Sequence, residues 1–465
     1  MVKIFNHYVS KLVSALLLIE IFLLIASMYL GRAVRFLDSS RLPPDQFENF
    51  FASASAFALV MVFSMSAFGM YQLERKPSTA NTFLRLMPSV ALGFCILTLF
   101  FYLVPDLYVG RGILGLSTIL AAALLLCARV LIFKTFKLGF LESRVIFLGE
   151  GALAKECSHL ASRNRGYNKY AVVGFAPMPT EERQVASSAI LPTGESLASM
   201  AKKYSVKEIV VSVQNRRGAD FPLQDLLECK LNGIKVTGAA AFFEREACQI
   251  RLDSLHPSWL IFGDGFDQSA LRAIGKRLFD LVVSALIFMV SLPVMLLTAL
   301  CIFLEDRGPI FYRQERVGKD GHTFWVMKFR SMGNDAEKEG KPQWAVANDA
   351  RTTKVGRIIR KLRIDELPQI LNVLKGEMSF VGPRPERPYF VKQLCEKIPY
   401  YNMRHSIKPG ITGFAQVRYH YGASIEDAVQ KLQYDLYYVK NHGLFLDLLI
   451  LIETLQVVLF AKGSR

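Results

Sequence analysis

Four apolar stretches fill most of the first 133 residues, at roughly 12–30, 51–70, 86–104 and 113–133. Each approaches the roughly 20 residues that cross a hydrocarbon core. None carries the polar face that a soluble helix needs, so the pattern predicts four transmembrane helices. No small-residue cleavage site follows the first run, which therefore reads as a retained helix and not a removed signal. Glu20 lies inside that run. An intramembrane carboxyl is a functional suspect by default, but with no base in view nearby it reads first as a neutral packing residue.

Beyond residue 140 the period changes. Short β-like runs at 144–150, 171–175, 208–213 and 234–237 alternate with helical segments at 197–204 and 222–231. That alternation predicts an α/β layer with a parallel sheet. A fifth long apolar run, 281–304, contains Ser291-Leu292-Pro293 near its centre, where proline should kink a helix. It either crosses the membrane or dips in and returns. In 351–363, Val355, Ile358, Ile359 and Leu362 share one helical face. At 444–460, Phe445, Leu448, Leu449 and Ile452 do the same beside Asp447, Glu453 and Gln456. This last helix is expected to lie along the membrane, with a sixth crossing as the alternative.

Composition narrows the class. The chain has 465 residues, 52% of them hydrophobic, with 56 basic and 40 acidic side chains. Two or three domains are expected at that length, and disorder is excluded. The seven cysteines form no CxxC pair and no HExxH occurs, so neither a disulfide scaffold nor a zinc cluster is expected. Residues 271–465 hold 29 basic and 19 acidic residues, a surplus of +10 out of +16. Such an excess attracts nucleic acid, anionic lipid or phosphorylated substrates. Aromatic-interleaved basic patches are missing, which removes nucleic acid as a partner. In the N-terminal region, Lys3, Lys11, Arg75, Lys76, Arg85, Arg129, Lys134, Lys137 and Arg144 fall on one side of the four helices. Only Arg32, Arg35, Arg41 and Arg111 fall on the other. The basic side is expected to be cytoplasmic, and an even number of crossings returns the chain there. Basic residues flank both ends of 281–304 as well, which suits a helix that returns.

Two places carry candidate chemistry. Gly149, Gly151 and Ala154 fit the G-x-G-x-x-A turn in which backbone N–H groups approach a pyrophosphate. The acidic residue expected about 20 positions later is missing; Arg163, Arg165 and Lys169 occupy the neighbourhood. A structural or regulatory Rossmann-like domain is the better reading, and a nucleotide-dependent oxidoreductase, lacking a Tyr-x-x-x-Lys pair here, the weaker one. The second place is Asp365-Glu366, directly after a stretch with six cations (Arg351, Lys354, Arg357, Arg360, Lys361, Arg363) and no acid. Adjacent carboxylates amid cations are held ionised and can bind a hard cation such as Mg²⁺. An ionised carboxylate is also a nucleophile toward phosphorus. Gly382-Pro383-Arg384-Pro385 adds a proline-framed arginine suited to phosphate.

Residues 272–465 resemble the bacterial sugar transferases that start glycan assembly on polyprenyl phosphate. The matching segments are KRLFD, YRQERVG, FWVMKFRSM, NDART, LRIDELPQILNVLKGEMSFVGPRPERP, KPGITGFAQV and LQYDLYYVKNH. Ile364 and Phe414 depart mildly from the residues frequent there. The whole chain looks like the long form of these monotopic phosphoglycosyltransferases. The resemblance implies transfer of sugar-1-phosphate from a UDP-sugar to undecaprenyl phosphate, with release of UMP, at the cytoplasmic face of a bacterial inner membrane. It implies Asp365 as covalent nucleophile and Glu366 as its partner in holding Mg²⁺. Lys328, Arg330, Arg351, Arg360, Gln369, Arg384 and Pro385 are implied around the phosphates and nucleotide. The intact Asp365-Glu366 pair argues against a pure scaffold. Large members of the family often pair as homodimers; no residue here fixes the oligomeric state or separates one sugar from its epimer.

The expected fold class is thus a multidomain membrane protein. It comprises a four-helix transmembrane bundle (1–140), a Rossmann-like α/β domain (141–265) and an α-rich mixed catalytic domain (266–465) with a re-entrant membrane helix at 278–304.

Overall fold

A computed structural model describes residues 2–4, 7–37, 49–71, 79–136, 142–162, 169–178, 182–213, 221–254, 265–266, 268–333, 351–419, 422 and 424–459. Among the expected site neighbours, Arg163, Arg165 and the residues 348–350 lie outside this set, as do the loop cations Arg41, Arg75, Lys76 and Lys137. The chain divides into two compact units, one of Met1–Val2 with Tyr8–Ala247 and one of Lys3–His7 with Cys248–Arg465.

The first unit begins with helices α1 (Lys11–Arg35), α2 (Phe50–Ala67), α3 (Thr79–Leu103) and α4 (Arg111–Phe136). They pack around one apolar core in which Leu24, Met28, Phe57, Met61, Leu86, Leu97 and Leu125 are buried. Leu18, Phe22, Leu59, Leu84, Leu99, Ile119 and Leu131 face outward, exposed. Helices that are apolar both inside and outside need lipid as solvent. Glu20 is fully buried, and Arg129 Nε donates to its Oε1 at 2.6 Å while Nη1 donates to the Met70 carbonyl at 2.9 Å. The expectation that no base stands near Glu20 is therefore corrected. Its partner lies on α4, brought near by helix packing and not by sequence proximity.

The same unit continues as an α/β layer: β1 (Ser143–Leu148), α5 (Ala152–Ser162), β2 (Tyr170–Ala176), α6 (Leu197–Lys203), β3 (Glu208–Val211), α7 (Leu223–Leu231), β4 (Lys235–Gly238) and α8 (Ala239–Ala247). The strands run parallel in the order β2-β1-β3-β4. Alternate strand residues serve opposite faces. Ile146, Leu148, Ile209 and Val211 pack under α6 and α7, whereas Val145, Phe147 and Val210 pack under α5 and α8.

The second unit opens on α9 (Ala270–Asp306), 37 residues and about 55 Å long at the α-helical rise. Its helix runs on through Pro293, so the proline does not end it. Leu286, Met289, Val290, Leu296 and Leu297 are exposed along it. With α1–α4 it makes five helices, among the described residues, long and apolar enough to cross a membrane. There follow the antiparallel hairpin β5 (Phe311–Val317) and β6 (Thr323–Phe329), α10 (Lys354–Lys361), a 3-10 turn Ile364–Gln369 and α11 (Ile370–Lys375). Next come β7 (Ser379–Val381), α12 (Pro388–Lys397), a 3-10 turn Tyr401–Ser406 and β8 (Gly410–Thr412), which pairs parallel with β7. Helices α13 (Phe414–Arg418), α14 (Ile425–Asn441) and α15 (Leu444–Leu459) close the unit.

Helix α15 turns leucines outward and acids inward. Leu444, Leu448 and Leu455 face outward, whereas Leu446, Asp447 and Ile450 are fully buried. Asp447 pairs with Lys276, and Glu453 with Arg418. The polar residues turn inward because each has a cation there.

Candidate active site

The segment that carries Asp365 and Glu366 is fixed from three sides. Arg363, in the left-handed region at φ 59°, ends α10 and turns the chain into the 3-10 turn. Asn372 on α11 bonds this region to β6: its Nδ2 donates to the Trp325 carbonyl at 2.8 Å, and its Oδ1 accepts from Met327 N at 3.1 Å. The start of α10 is held by α9, since Glu305 Oε1 accepts from Lys354 N at 2.8 Å. Thr353 caps the same helix, its hydroxyl accepting from Gly356 N at 2.9 Å.

Glu366 is the charged hub. Its Oε1 accepts from Lys328 Nζ at 2.8 Å and from Arg384 Nη2 at 3.0 Å, and Arg363 Nη1 stands 3.7 Å from Oε2. Burial alone would raise its pKa. Lys328, then Arg384 and Arg363, more than offset this and hold the carboxyl far below the usual carboxylate range. Burial likewise lowers the Lys328 ammonium, against the pull of Glu366.

Asp365 differs. Its Oδ1 is buried without a hydrogen-bond partner among the described residues. Burial, then the neighbouring Glu366 charge, pushes its pKa above the ordinary value, against Lys328, Arg363 and Arg360. The flanking cations thus prevail at Glu366, whereas at Asp365 burial and the Glu366 charge outweigh them. Asp365 is the more basic of the two, and its buried oxygen is not engaged by a hydrogen bond among the described residues.

Of the other expected residues, Lys328 and Arg384 join the carboxylate pair. Arg360 reaches it only through its field, with Nη1 on Thr352 Oγ1 at 3.2 Å. Gln369 is buried at the end of the 3-10 turn. Arg330 instead pairs with Asp306 at the end of α9. Arg351 is exposed, its carbonyl accepting from Gly333 N at 3.0 Å. Pro385 is buried and its carbonyl accepts from Arg316 Nη1 at 3.1 Å, so it frames the loop and offers no further donor. The other unit holds Gly149, at φ 112°, with Gly151 and the buried Ala154. Between those glycines Glu150 is buried and paired with Arg183 Nε at 3.2 Å, an acid where an anionic pyrophosphate would need donors. Lys169 is committed to Glu246 at 2.6 Å.

Sequence reasoning missed the groups that orient Arg384. Gln416 Oε1 accepts from its Nη1 at 3.1 Å, and Arg404 Nη2 donates to its carbonyl at 3.0 Å. Arg404 is in turn locked on Asp435 at 2.8 Å. The signal for Gln416 and Asp435 was their place in the GITGFAQV and LQYDLYYV segments; Arg404 lies in neither.

Among the described residues no group of three or more His, Cys, Asp or Glu side chains could hold a metal. Two carboxylates with one unpartnered oxygen fit Mg²⁺ nonetheless, because that ion commonly takes one or two carboxylates and completes its shell with water and substrate phosphates.

Comparison with known proteins adds the following. Residues 271–461 match the model of the bacterial sugar transferase family, and residues 66–221 match a model described as a CoA-binding domain. A UDP-N-acetylgalactosamine-undecaprenyl-phosphate N-acetylgalactosaminephosphotransferase of Aeromonas hydrophila is 42% identical over 240 residues, 52% of this chain and 56% of that protein. A UDP-glucose:undecaprenyl-phosphate glucose-1-phosphate transferase of Klebsiella pneumoniae is 40% identical over 188 residues, 40% of each chain. One of the same description from Xanthomonas campestris is 32% identical over 376 residues, 77% of this chain and 75% of that protein. The chain thus spans only about half the length of the first two.

Proposed function

The chain belongs to the bacterial sugar transferase family, and on that premise we propose that it transfers sugar-1-phosphate from a UDP-sugar to undecaprenyl phosphate with release of UMP. The observation that carries this reading is the contrast within the acidic pair: Glu366 saturated by cations, Asp365 with a buried, unpartnered oxygen.

In the proposed first step Asp365 attacks the phosphorus that bears the sugar. A carboxylate–phosphorus bond forms, the diphosphate bond breaks, and its electron pair leaves on UMP. In the second step a phosphate oxygen of undecaprenyl phosphate attacks the same phosphorus. The aspartyl bond breaks, Asp365 regains its carboxylate, and undecaprenyl-diphosphate-sugar departs. Lys328, Arg384 and Arg360 would neutralise the phosphates, where charge stabilisation matters most as the bonds reorganise. Mg²⁺, held by Asp365 and Glu366, would supply further neutralisation of the diphosphate.

The topology we propose has α1–α4 as a transmembrane four-helix bundle of a bacterial inner membrane. In it α9 is re-entrant, with the α/β layer and catalytic unit both cytoplasmic. The cations at both ends of 281–304 and the outward Ile358 on α10 and Leu362 just after it support it. A cysteine beyond α9 tests this. Gly308 is unsuitable, since a side chain there would meet the Arg330 guanidinium. His322 is exposed in the hairpin turn. In intact cells His322→Cys should resist a membrane-impermeant thiol reagent; labelling from outside would mean that α9 crosses.

The basic helix makes a second test. Arg360→Ala should lower UMP release roughly ten- to a hundredfold, the worth of a charge-assisted bond of about 1.5–3 kcal/mol. Lys354→Ala, at the exposed start of α10, should cost much less. Equal losses that raised salt reproduces would show that these cations only hold the protein on anionic lipid. The activity itself is tested by mixing purified protein with undecaprenyl phosphate and a panel of UDP-sugars and reading UMP.

A further inference from the structure

A second polar cluster lies beneath the site and takes no part in the scheme above. Asp280, on α9, is buried; its Oδ1 accepts from Ser379 Oγ at 3.0 Å and from Phe380 N at 3.1 Å. Lys276, one turn earlier on α9, stands 3.4 Å from Asp280 and 2.7 Å from Asp447 on α15. Tyr438 on α14 donates to Asp447 Oδ1 at 2.6 Å, and its hydroxyl lies 3.0 Å from the Val381 carbonyl. Both ends of β7 are thereby gripped by buried charged or hydroxyl groups. Such a network specifies one arrangement because any partial version leaves a buried charge unpaired.

β7 leads within three residues to Arg384, and the connection has little slack. Ser379 N donates to the Pro409 carbonyl at 2.8 Å, Gly382 N to Thr412 at 2.9 Å and Gly410 N to Pro383 at 2.9 Å. A Cβ on Gly382, Gly410 or Gly413 would collide with the facing backbone, so the two strands approach as closely as glycine permits. A displacement of Ser379 and Phe380 is therefore passed to Arg384 and so to Glu366.

We propose that Asp280, held in place by Lys276 and Asp447, is a positioning residue that sets Arg384 against Glu366 and the substrate phosphates. This rests on the proposed transferase reading, and it adds a route by which the root of the membrane helix controls the geometry of the phosphate site.

The experiment is a double-mutant cycle on the full-length chain in detergent or nanodiscs. Asp280→Ala should lower kcat for UMP release roughly ten- to a hundredfold, the cost of a misplacement near 1 Å. Asp280→Asn keeps an acceptor for Ser379 and Phe380 and should recover most of the rate. In an Arg384→Ala background, Asp280→Ala should cost no more than about threefold, because its effect runs through the missing side chain. Equal losses in both backgrounds, or an asparagine variant as impaired as the alanine one, would overturn the proposal. Hydrogen exchange at the Phe380 amide gives an arm independent of turnover: faster in Asp280→Ala, native in Asp280→Asn. If the native chain released no UMP from any UDP-sugar, the transferase reading would fail. Unchanged exchange in Asp280→Ala would overturn the positioning role alone.

Discussion

Replacing Asp365 with asparagine is expected to abolish UMP release from every UDP-sugar the chain accepts. The amide has the shape of the carboxyl but no electron pair basic enough to attack phosphorus. The fold should not suffer. Oδ1 makes no hydrogen bond that the substitution removes, and burial beside Glu366 already disfavours the charged form. Removing that charge should leave the unfolding midpoint equal or slightly raised, as is common where a site stores unfavourable electrostatics for function. The test is UMP release alongside a thermal unfolding scan of the same preparation. Turnover within about tenfold of native, only ~1.4 kcal/mol of barrier, would remove Asp365 from the nucleophile's role.

Glu366→Ala should behave differently, losing both activity and stability. The carboxylate faces Lys328, Arg384 and Arg363, and its side chain is only 11% exposed. Taking one partner from a buried ion cluster leaves the others uncompensated and typically costs about 3–5 kcal/mol. A lowered unfolding midpoint is expected together with a loss of UMP release above roughly a hundredfold, since Lys328 and Arg384 lose the anchor that aims them. Adding Lys328→Met should restore part of the stability, because a buried cation is removed, but none of the activity. A Glu366→Ala protein as stable as the native chain would mean that the cluster is effectively solvated and worth little.

These two carboxylates could be read from the sequence because adjacent acids after a run of cations are a local signal. Their division of labour could not. Lys328 reaches Glu366 across 38 positions and Arg384 across 18, through the β5–β6 hairpin and the β7 loop. The parallel sheet was equally legible, since four short apolar runs between helical segments leave little choice of pairing. The face that α15 turns inward was not legible from periodicity, because Lys276 and Arg418, which draw Asp447 and Glu453 in, come from other segments. Glu20 failed in the same way: its base, Arg129, is 109 residues away. The sequence likewise could not show that Arg330 pairs with Asp306, 24 positions away. A pattern shows which side chains can bear charge, and only packing shows where that charge is used.

The central claim is a phosphosugar carried on Asp365, and a single turnover without acceptor tests it most directly. Purified protein is mixed with Mg²⁺ and a panel of UDP-sugars in the absence of undecaprenyl phosphate, and its peptides are weighed by mass spectrometry. The account predicts about one equivalent of UMP per chain and a sugar-phosphate adduct on the peptide that contains Asp365, discharged when undecaprenyl phosphate is added. UMP released only when both substrates are present, with no adduct at any time, would contradict it.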